Sequence, residues 1–322
     1  MSRILVIKLG ALGDVVMATS SIRQIMKHHH NAAVHLLTAP QYAEIFKNWD
    51  KLQVTTFNRK ELAETMRAIR WIRAGGFSRV YDLQSSDRTA IFCALSGIKE
   101  IVGNHPRYPY NFHPPDKYTG QCHIYVRNLQ LLQSVGIKTV SGPPLLIPSV
   151  DDKKYVSGWM ADHNLSEKSF VIIHAGASPG HPEKCWPYYA ELAAHIDNSG
   201  CRPVWAGTES EAAMNKQYAA RNGIDASNQM SIIQLAELGR HARFAVTNDS
   251  GPMHILSASV IPVYAFFGPT NWKRSHAIGQ EKNVLSCDLL AIKPEYPLQH
   301  TSLGAISVAV VVERLKKDDL LM

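Results

Sequence analysis

At 322 residues, with 45% of them apolar, the chain is long enough for two domains and apolar enough to fill two ordinary cores. Its 34 Lys and Arg stand against 27 Asp and Glu, a formal charge of +7 that favours anionic ligands. The basic residues are dispersed and no nucleic-acid module is recognisable, so no nucleic-acid partner is expected. Cys93, Cys122, Cys185, Cys201 and Cys287 are scattered, with no close pair to hold zinc or shuttle a disulfide, which points to a reducing cytoplasm and to no metal. No apolar run reaches membrane-spanning length, and the opening MSRILVIKLGALGD turns helical where a signal peptide would be cleaved. Any membrane contact is therefore expected to be peripheral.

In chain order, short β-rich runs alternate with longer amphipathic ones. Strands are expected over Arg3–Leu9, Ala33–Thr38, Val54–Phe57, Arg79–Leu83 and Glu100–Gly103, each followed by a helical or loop segment. The stretch SGPPLLIPSV, Ser141 to Val150, is broken by three prolines and reads as a hinge. Beyond it Lys153–His163 looks helical, and the alternation restarts with strands at Phe170–His174, Pro203–Ala206, Phe244–Thr247 and Pro262–Phe267. A final helical pattern, Ile306–Lys317, either closes the second domain or crosses back onto the first. The pattern predicts an α/β chain of two doubly wound, Rossmann-like domains, residues 1–150 and 151–322, facing each other across a cleft. In such sheets ligands bind beyond the carboxyl ends of the strands, so function is expected in the loops there.

Four of those loops carry chemistry. After the first strand, KLGALGDVV sets Gly10 and Gly13 around a tight turn and Asp14 at a helix start. The spacing is not the Gly-x-Gly-x-x-Gly of dinucleotide binders. Asp14 either caps the helix or, as a carboxylate at a glycine-opened strand end, takes a proton from a substrate hydroxyl. In HAGASPGHPEKCWP, His174 to Pro187, Lys184 is an ordinary surface lysine or a compact charge meeting a phosphate, and Trp186 reads as packing. In WAGTESE, Glu209 either complements the helix dipole or accepts hydrogen bonds from a ribose diol. In NDSGPMH, Asp249 and Ser250 are candidate caps, Gly251 allows close backbone approach, and His254 lies one turn into a helix whose first N–H groups point at an anion such as a diphosphate. Their shared placement at strand ends favours one site over four unrelated loops.

With these residues in view, the chain resembles glycosyltransferase family 9, the ADP-heptose:lipopolysaccharide heptosyltransferases. ILVIKLGALGDVV, YDLQSSDRTA, HIYVRNLQLL, the HAGAS…KCWP segment, WAGTESE, TNDSGPMH and FFGPTNW occur in the family's order over most of the chain. The resemblance implies a GT-B fold with an amino-terminal acceptor domain and a carboxy-terminal donor domain. It also implies inverting transfer of heptose from ADP-L-glycero-D-manno-heptose to the lipopolysaccharide inner core, with no cofactor and no obligatory metal. By the same resemblance Asp14 matches the general base, and Lys184, Glu209, Asp249, Ser250, Gly251 and His254 match donor-binding positions. Ser250 stands where related chains often have Thr, and Cys185 where many have Arg or His. The implied acceptor is an anionic glycolipid, for which Arg88, Arg107 and Arg127 offer planar guanidinium forks. Alternative readings are a GT-B enzyme using another nucleotide sugar, such as a UDP-activated one, and a non-catalytic glycan-binding relative.

Overall fold

The computed structural model describes residues 2–58, 62–178, 180–292 and 303–321, and the chain forms two compact units, Met1–Ile147 and Pro148–Met322. The first contains β1 (Arg3–Ile7), α1 (Leu12–His28), β2 (Ala33–Thr38), β3 (Leu52–Thr56), α2 (Leu62–Ala74), β4 (Arg79–Asp82), α3 (Asp87–Ser96), β5 (Glu100–Val102) and α4 (Ile124–Gln133). Its sheet runs β3-β2-β1-β4-β5 with every pairing parallel. The central strand is a continuous apolar run, Ile4 to Ile7, buried to 2% exposure or less. That is the pattern of a parallel strand covered on both faces rather than on one.

The second unit contains α5 (Val150–Asp162), β6 (Phe170–His174), α6 (Tyr189–Asn198), β7 (Arg202–Trp205), α7 (Glu209–Ala219), β8 (Ile224–Asp225), α8 (Ile232–His241), β9 (Ala245–Asn248), α9 (Gly251–Ser257), β10 (Val263–Phe266), α10 (Trp272–Ser275), β11 (Val284–Leu285) and α11 (Val308–Lys317). Its sheet is again parallel, in the order β11-β10-β9-β6-β7-β8. Alternate residues of β6 feed two cores: Val171 and Ile173 join Trp186 and Tyr189 on one face, while Phe170 and Ile172 join Met253 and Leu256 on the other.

Both sheets are doubly wound, and in each the strand order reverses beside the first strand: between β1 and β4, and between β6 and β9. Those are the switch points beyond whose carboxyl ends such sheets bind ligands. Each strand expected from the sequence is present within two residues of its expected bounds, whereas β8 and β11, of two residues each, are too short to show a period.

Local chemistry sets the division between the units. Leu145 N donates to Thr19 Oγ1 on α1 at 2.7 Å, and Asn48 Nδ2 donates to Ile147 O at 2.8 Å, so the chain is held by the first unit up to Ile147. Ser149 then caps α5: its Oγ accepts from Asp152 N at 3.0 Å, and Asp152 Oδ2 accepts from Ser149 N at 2.9 Å. This reciprocal cap starts α5 three residues before the expected Lys153. The last helix closes the second unit, since Val308, Val311 and Leu315 pack in the same core as Trp186, whose Nε1 donates to Ile306 O at 2.8 Å.

Candidate active site

In the first unit the switch point is organised from a buried carboxylate outward. Asp82, at the end of β4, is fully buried; its Oδ1 accepts from the backbone N–H groups of Gln84 (3.1 Å) and Ser85 (2.8 Å), and its Oδ2 from Tyr110 OH (2.6 Å). Burial holds its pKa above the usual value, with these hydrogen bonds pulling the other way. The turn so fixed presents Gln84, whose Oε1 accepts from Leu9 N at 3.0 Å and Gly10 N at 3.2 Å. Gly10 has φ +144°, a backbone that a residue with a Cβ rarely adopts, which accounts for the glycine. Lys8 is buried, with Nζ donating to Leu83 O at 3.3 Å. Burial lowers its pKa, and the charges of Asp14 and Asp82 oppose that shift.

Asp14 lies in the first turn of α1 and is half-buried. It does not cap the helix: the N-cap is Ala11, without a side-chain bond. Among the described residues no hydrogen bond or ion pair reaches the Asp14 carboxylate, and the nearby Lys8 ammonium is directed at a backbone carbonyl instead. Both carboxylate oxygens are thus available to accept a proton or a hydroxyl hydrogen.

The three arginines have different surroundings. Arg127 is a correction to the acceptor-binding expectation, because its side chain is 0% exposed and its donors are used inside the unit. Nε donates to Asn104 Oδ1 (2.7 Å), Nη1 to Asp116 Oδ1 (2.8 Å) and Gln130 Oε1 (3.2 Å), and Nη2 to Asn104 O (2.8 Å) and Asp116 O (2.6 Å). The guanidinium ties the 104–116 loop to α4, which leaves no N–H for a ligand. Arg107 is exposed and pairs with Asp87 at 2.7 Å. Arg88 is exposed at the start of α3.

In the second unit, the loops after β6, β7 and β9 stem from adjacent strands. Asn248, the last residue of β9, is buried and joins two of them. Its Oδ1 accepts from Trp186 N (3.0 Å) and Tyr189 OH (2.9 Å), while its Nδ2 donates to Ala175 O (2.8 Å) and Gly176 O (3.0 Å). That clamp places Lys184, at the end of a short 3-10 turn, so that its Nζ meets Asp249 Oδ2 at 2.8 Å. The same oxygen accepts from Thr270 Oγ1 at 2.7 Å. Pro179 in the Lys184 loop lies outside the described residues. Trp186 is a packing residue, stacked on Phe266 with ring centroids 4.2 Å apart.

Several expected roles in this unit change. Asp249 is an ion-pair partner rather than a cap, and Ser250 occupies the N-cap of α9 but turns its hydroxyl to Asn248 O at 3.3 Å. Gly251 opens α9, a helix of only seven residues, and His254 is buried one turn in. Glu209 begins α7, is exposed, and accepts from Asn228 Nδ2 at 2.5 Å. The carboxylate that organises this loop is Glu211: its Oε2 accepts from Thr208 N (2.8 Å) and Thr208 Oγ1 (2.7 Å), and its Oε1 from Ser210 Oγ (2.7 Å). It lies so close to the loops after β6 and β7 that a Cβ on Gly176 would stand 2.6 Å from its Cγ, and one on Gly207 2.8 Å from its Cβ. Glu211 also acts electrostatically on buried His174, whose pKa falls to about 4 through burial, with the carboxylate opposing the shift.

The structure therefore joins Lys184 to Asp249, with Ser250, Gly251 and His254 following in the chain, while Glu209 stands on the β7 loop and Asp14 with the arginines belongs to the first unit. Sequence reasoning missed Lys8, Asp82, Gln84, Asn248, Glu211 and Thr270. Only Glu211 carried a local signal, the Thr-x-x-Glu spacing of a helix start. Among the described residues no group of three or more His, Cys, Asp or Glu is placed to hold a metal ion, and no helix is long and apolar enough to cross a membrane.

Known proteins share this fold. Residues 65–299 match the family model described as glycosyltransferase family 9 (heptosyltransferase). Lipopolysaccharide heptosyltransferase 2 of Escherichia coli K12 is 25% identical over 297 residues, covering 84% of this chain and 83% of that protein. A glycosyltransferase family 9 structure from Veillonella parvula superposes with a TM-score of 0.82 at 19% identity, covering 98% of this chain and 96% of the other. The structure of E. coli ADP-heptose lps heptosyltransferase II gives 0.75 at 22% identity, covering 98% of both chains. Two parallel α/β sheets in tandem, as here, are the GT-B fold of these structures.

Proposed function

The chain belongs to glycosyltransferase family 9, and on that premise we propose that it moves a heptose from ADP-L-glycero-D-manno-heptose to the inner core of lipopolysaccharide, with inversion. The observation that carries this reading is the Lys184–Asp249 pair at the β6/β9 switch point, a cation held at 2.8 Å by a carboxylate where a doubly wound sheet binds its ligand. A diphosphate arriving there meets Lys184 as a compact charge, and Asp249 sets the position of the ammonium. Glu209, with one oxygen on Asn228, offers the other to a ribose hydroxyl. The names of the similar proteins, a lipopolysaccharide heptosyltransferase and an ADP-heptose lps heptosyltransferase, support the choice of donor and acceptor.

In this reading Asp14 accepts the proton of the attacking hydroxyl as the new bond to the anomeric carbon forms and the bond to the nucleoside diphosphate breaks. Negative charge builds on the departing phosphate, and Lys184 stabilises it more in the transition state than in the bound substrate. No cofactor enters the step. The charge of the two units supports the assignment of partners: residues 1–147 hold 18 Lys and Arg against 9 Asp and Glu, residues 148–322 hold 16 against 18. An anionic glycolipid suits the first unit, where Arg88 and Arg107 remain as exposed guanidinium groups, and peripheral contact with an anionic membrane surface fits the same charge.

Thermal stability against ADP, UDP, GDP and CMP tests the donor. A ligand at about 100 times its dissociation constant stabilises by roughly 2.7 kcal/mol. Selective stabilisation by ADP, followed by transfer from ADP-heptose, is the expected result. A preference for UDP, or no response to any nucleotide, overturns the ADP-heptose assignment.

A further inference from the structure

Away from the loops that carry Asp14, at the opposite end of α1, the first unit holds a pocket of about 320 Å³. Its lining includes Arg23, Met26, Lys27, His30, Asp50 and Lys51. Lys27 is 13 residues beyond Asp14 in the same helix, which separates the two by about 20 Å at the α-helical rise. The pocket is thus distinct from the switch point of the sheet.

Three observations make it more than a solvated face. Arg23 and Lys27 stand at i and i+4 on α1, where like charges repel, and neither has a hydrogen-bond or ion-pair partner among the described residues. Lys51 comes from the turn before β3 and reaches the same cavity with φ +65°, a left-handed conformation unfavourable for a residue with a Cβ. It too is without a partner among the described residues, and Asp50 is the one carboxylate in the described lining. The dipole of α1 accounts for a cation in the last turn, so for Lys27, but not for Arg23, five residues before the last residue of the helix, nor for Lys51 outside the helix. Two separate segments therefore bring three cations, none with an ion-pair partner among the described residues, and one carboxylate to one concavity, in the unit that carries the chain's excess positive charge.

We propose that this pocket is a second anion site, built for a phosphate group that is either free or carried by a lipid headgroup. The guanidinium of Arg23 offers a fork for two phosphate oxygens, and the ammonium groups of Lys27 and Lys51 add point charges. The site is independent of the donor reading, since none of its residues lies in the first turn of α1, which carries Asp14, or in the Lys184 loop.

Two probes test it on the full chain: sedimentation with phosphatidylglycerol-containing vesicles against phosphatidylcholine vesicles, and thermal stability in inorganic pyrophosphate. The wild type is compared with the triple variant Arg23→Gln, Lys27→Gln, Lys51→Gln, and with Lys153→Gln, Lys154→Gln, which removes two exposed charges from α5. All five side chains are exposed, so the variants are expected to fold, as circular dichroism will check. A loss of roughly 100-fold in phosphatidylglycerol binding by the triple variant alone assigns the site to a lipid headgroup. No vesicle binding, with pyrophosphate stabilisation lost in the triple variant alone, assigns it to free phosphate. A pyrophosphate shift common to all three proteins belongs to Lys184 and its surroundings. Equal behaviour of the wild type and the triple variant with both probes overturns the proposal.

Discussion

Asp14 follows β1 in the first unit and Asp249 follows β9 in the second, each just beyond the carboxyl end of a strand at a switch point, yet the two are surrounded differently. Asp249 has one oxygen bound by an ammonium at 2.8 Å and a hydroxyl at 2.7 Å. Asp14 has no such partner among the described residues, and the lysine beside it is turned to a backbone carbonyl. A carboxylate whose lone pairs are engaged is a structural element; one left open is suited to take a proton. The scaffolds that hold them also differ. In the first unit a buried carboxylate, Asp82, fixes the glutamine that pins the glycine loop, whereas in the second a neutral amide, Asn248, clamps the lysine loop through four hydrogen bonds.

The largest expected effect separates the two carboxylates directly. Asp14→Asn is expected to slow transfer by roughly 10²- to 10⁴-fold, the size of a positioned acid or base. Steady-state kinetics with donor and acceptor both saturating will check it, and a change under threefold would break the contrast with Asp249. Next is the clamp: Asn248→Ala leaves Tyr189 OH without its acceptor in a buried position and should cost about 3 kcal/mol, lowering Tm by roughly 6–12 °C in calorimetry.

Acid should act on the second unit through His174. Its pKa is lowered to about 4 by burial, against about 6.5 in an unfolded chain, so between these values the unfolded state binds more protons. Stability is therefore complete above about pH 6.5 and declines towards pH 4, by up to about 3 kcal/mol. Urea unfolding at several pH values checks this, with His174→Gln expected to flatten the slope; an unchanged slope would contradict the assignment. Lys184→Met should weaken ADP binding by roughly 10- to 100-fold, the contribution of a charged hydrogen bond, as read by calorimetric titration. Glu209→Gln, which leaves an acceptor oxygen, should weaken it by only a few fold.

Much of the fold was legible because central parallel strands are continuous apolar runs: Arg3–Ile7 and Phe170–His174 announce themselves, and the loops behind them could be placed at strand ends. What could not be read was which polar groups face inward. Arg127 resembles any ligand-binding arginine in a sequence, and only the 104–116 loop folding over it shows that its donors are taken. Glu209 and Glu211 are alike in composition, and the bonds from Thr208 and Ser210 distinguish them. Asn248 was hidden for another reason: its four partners are Ala175, Gly176 and Trp186 in the loop after β6 and Tyr189 at the start of α6, all 59 to 73 residues earlier in the chain.

The most direct test of the division of labour is to measure, on the same preparations of Asp14→Asn and Lys184→Met, both the single-turnover transfer rate at saturating donor and the ADP dissociation constant. The expected pattern is crossed: Asp14→Asn loses roughly 100-fold or more in rate with ADP affinity within about twofold of wild type, while Lys184→Met loses affinity roughly tenfold or more. Loss of ADP affinity in Asp14→Asn in step with its rate, or ADP binding in Lys184→Met equal to wild type, would contradict it.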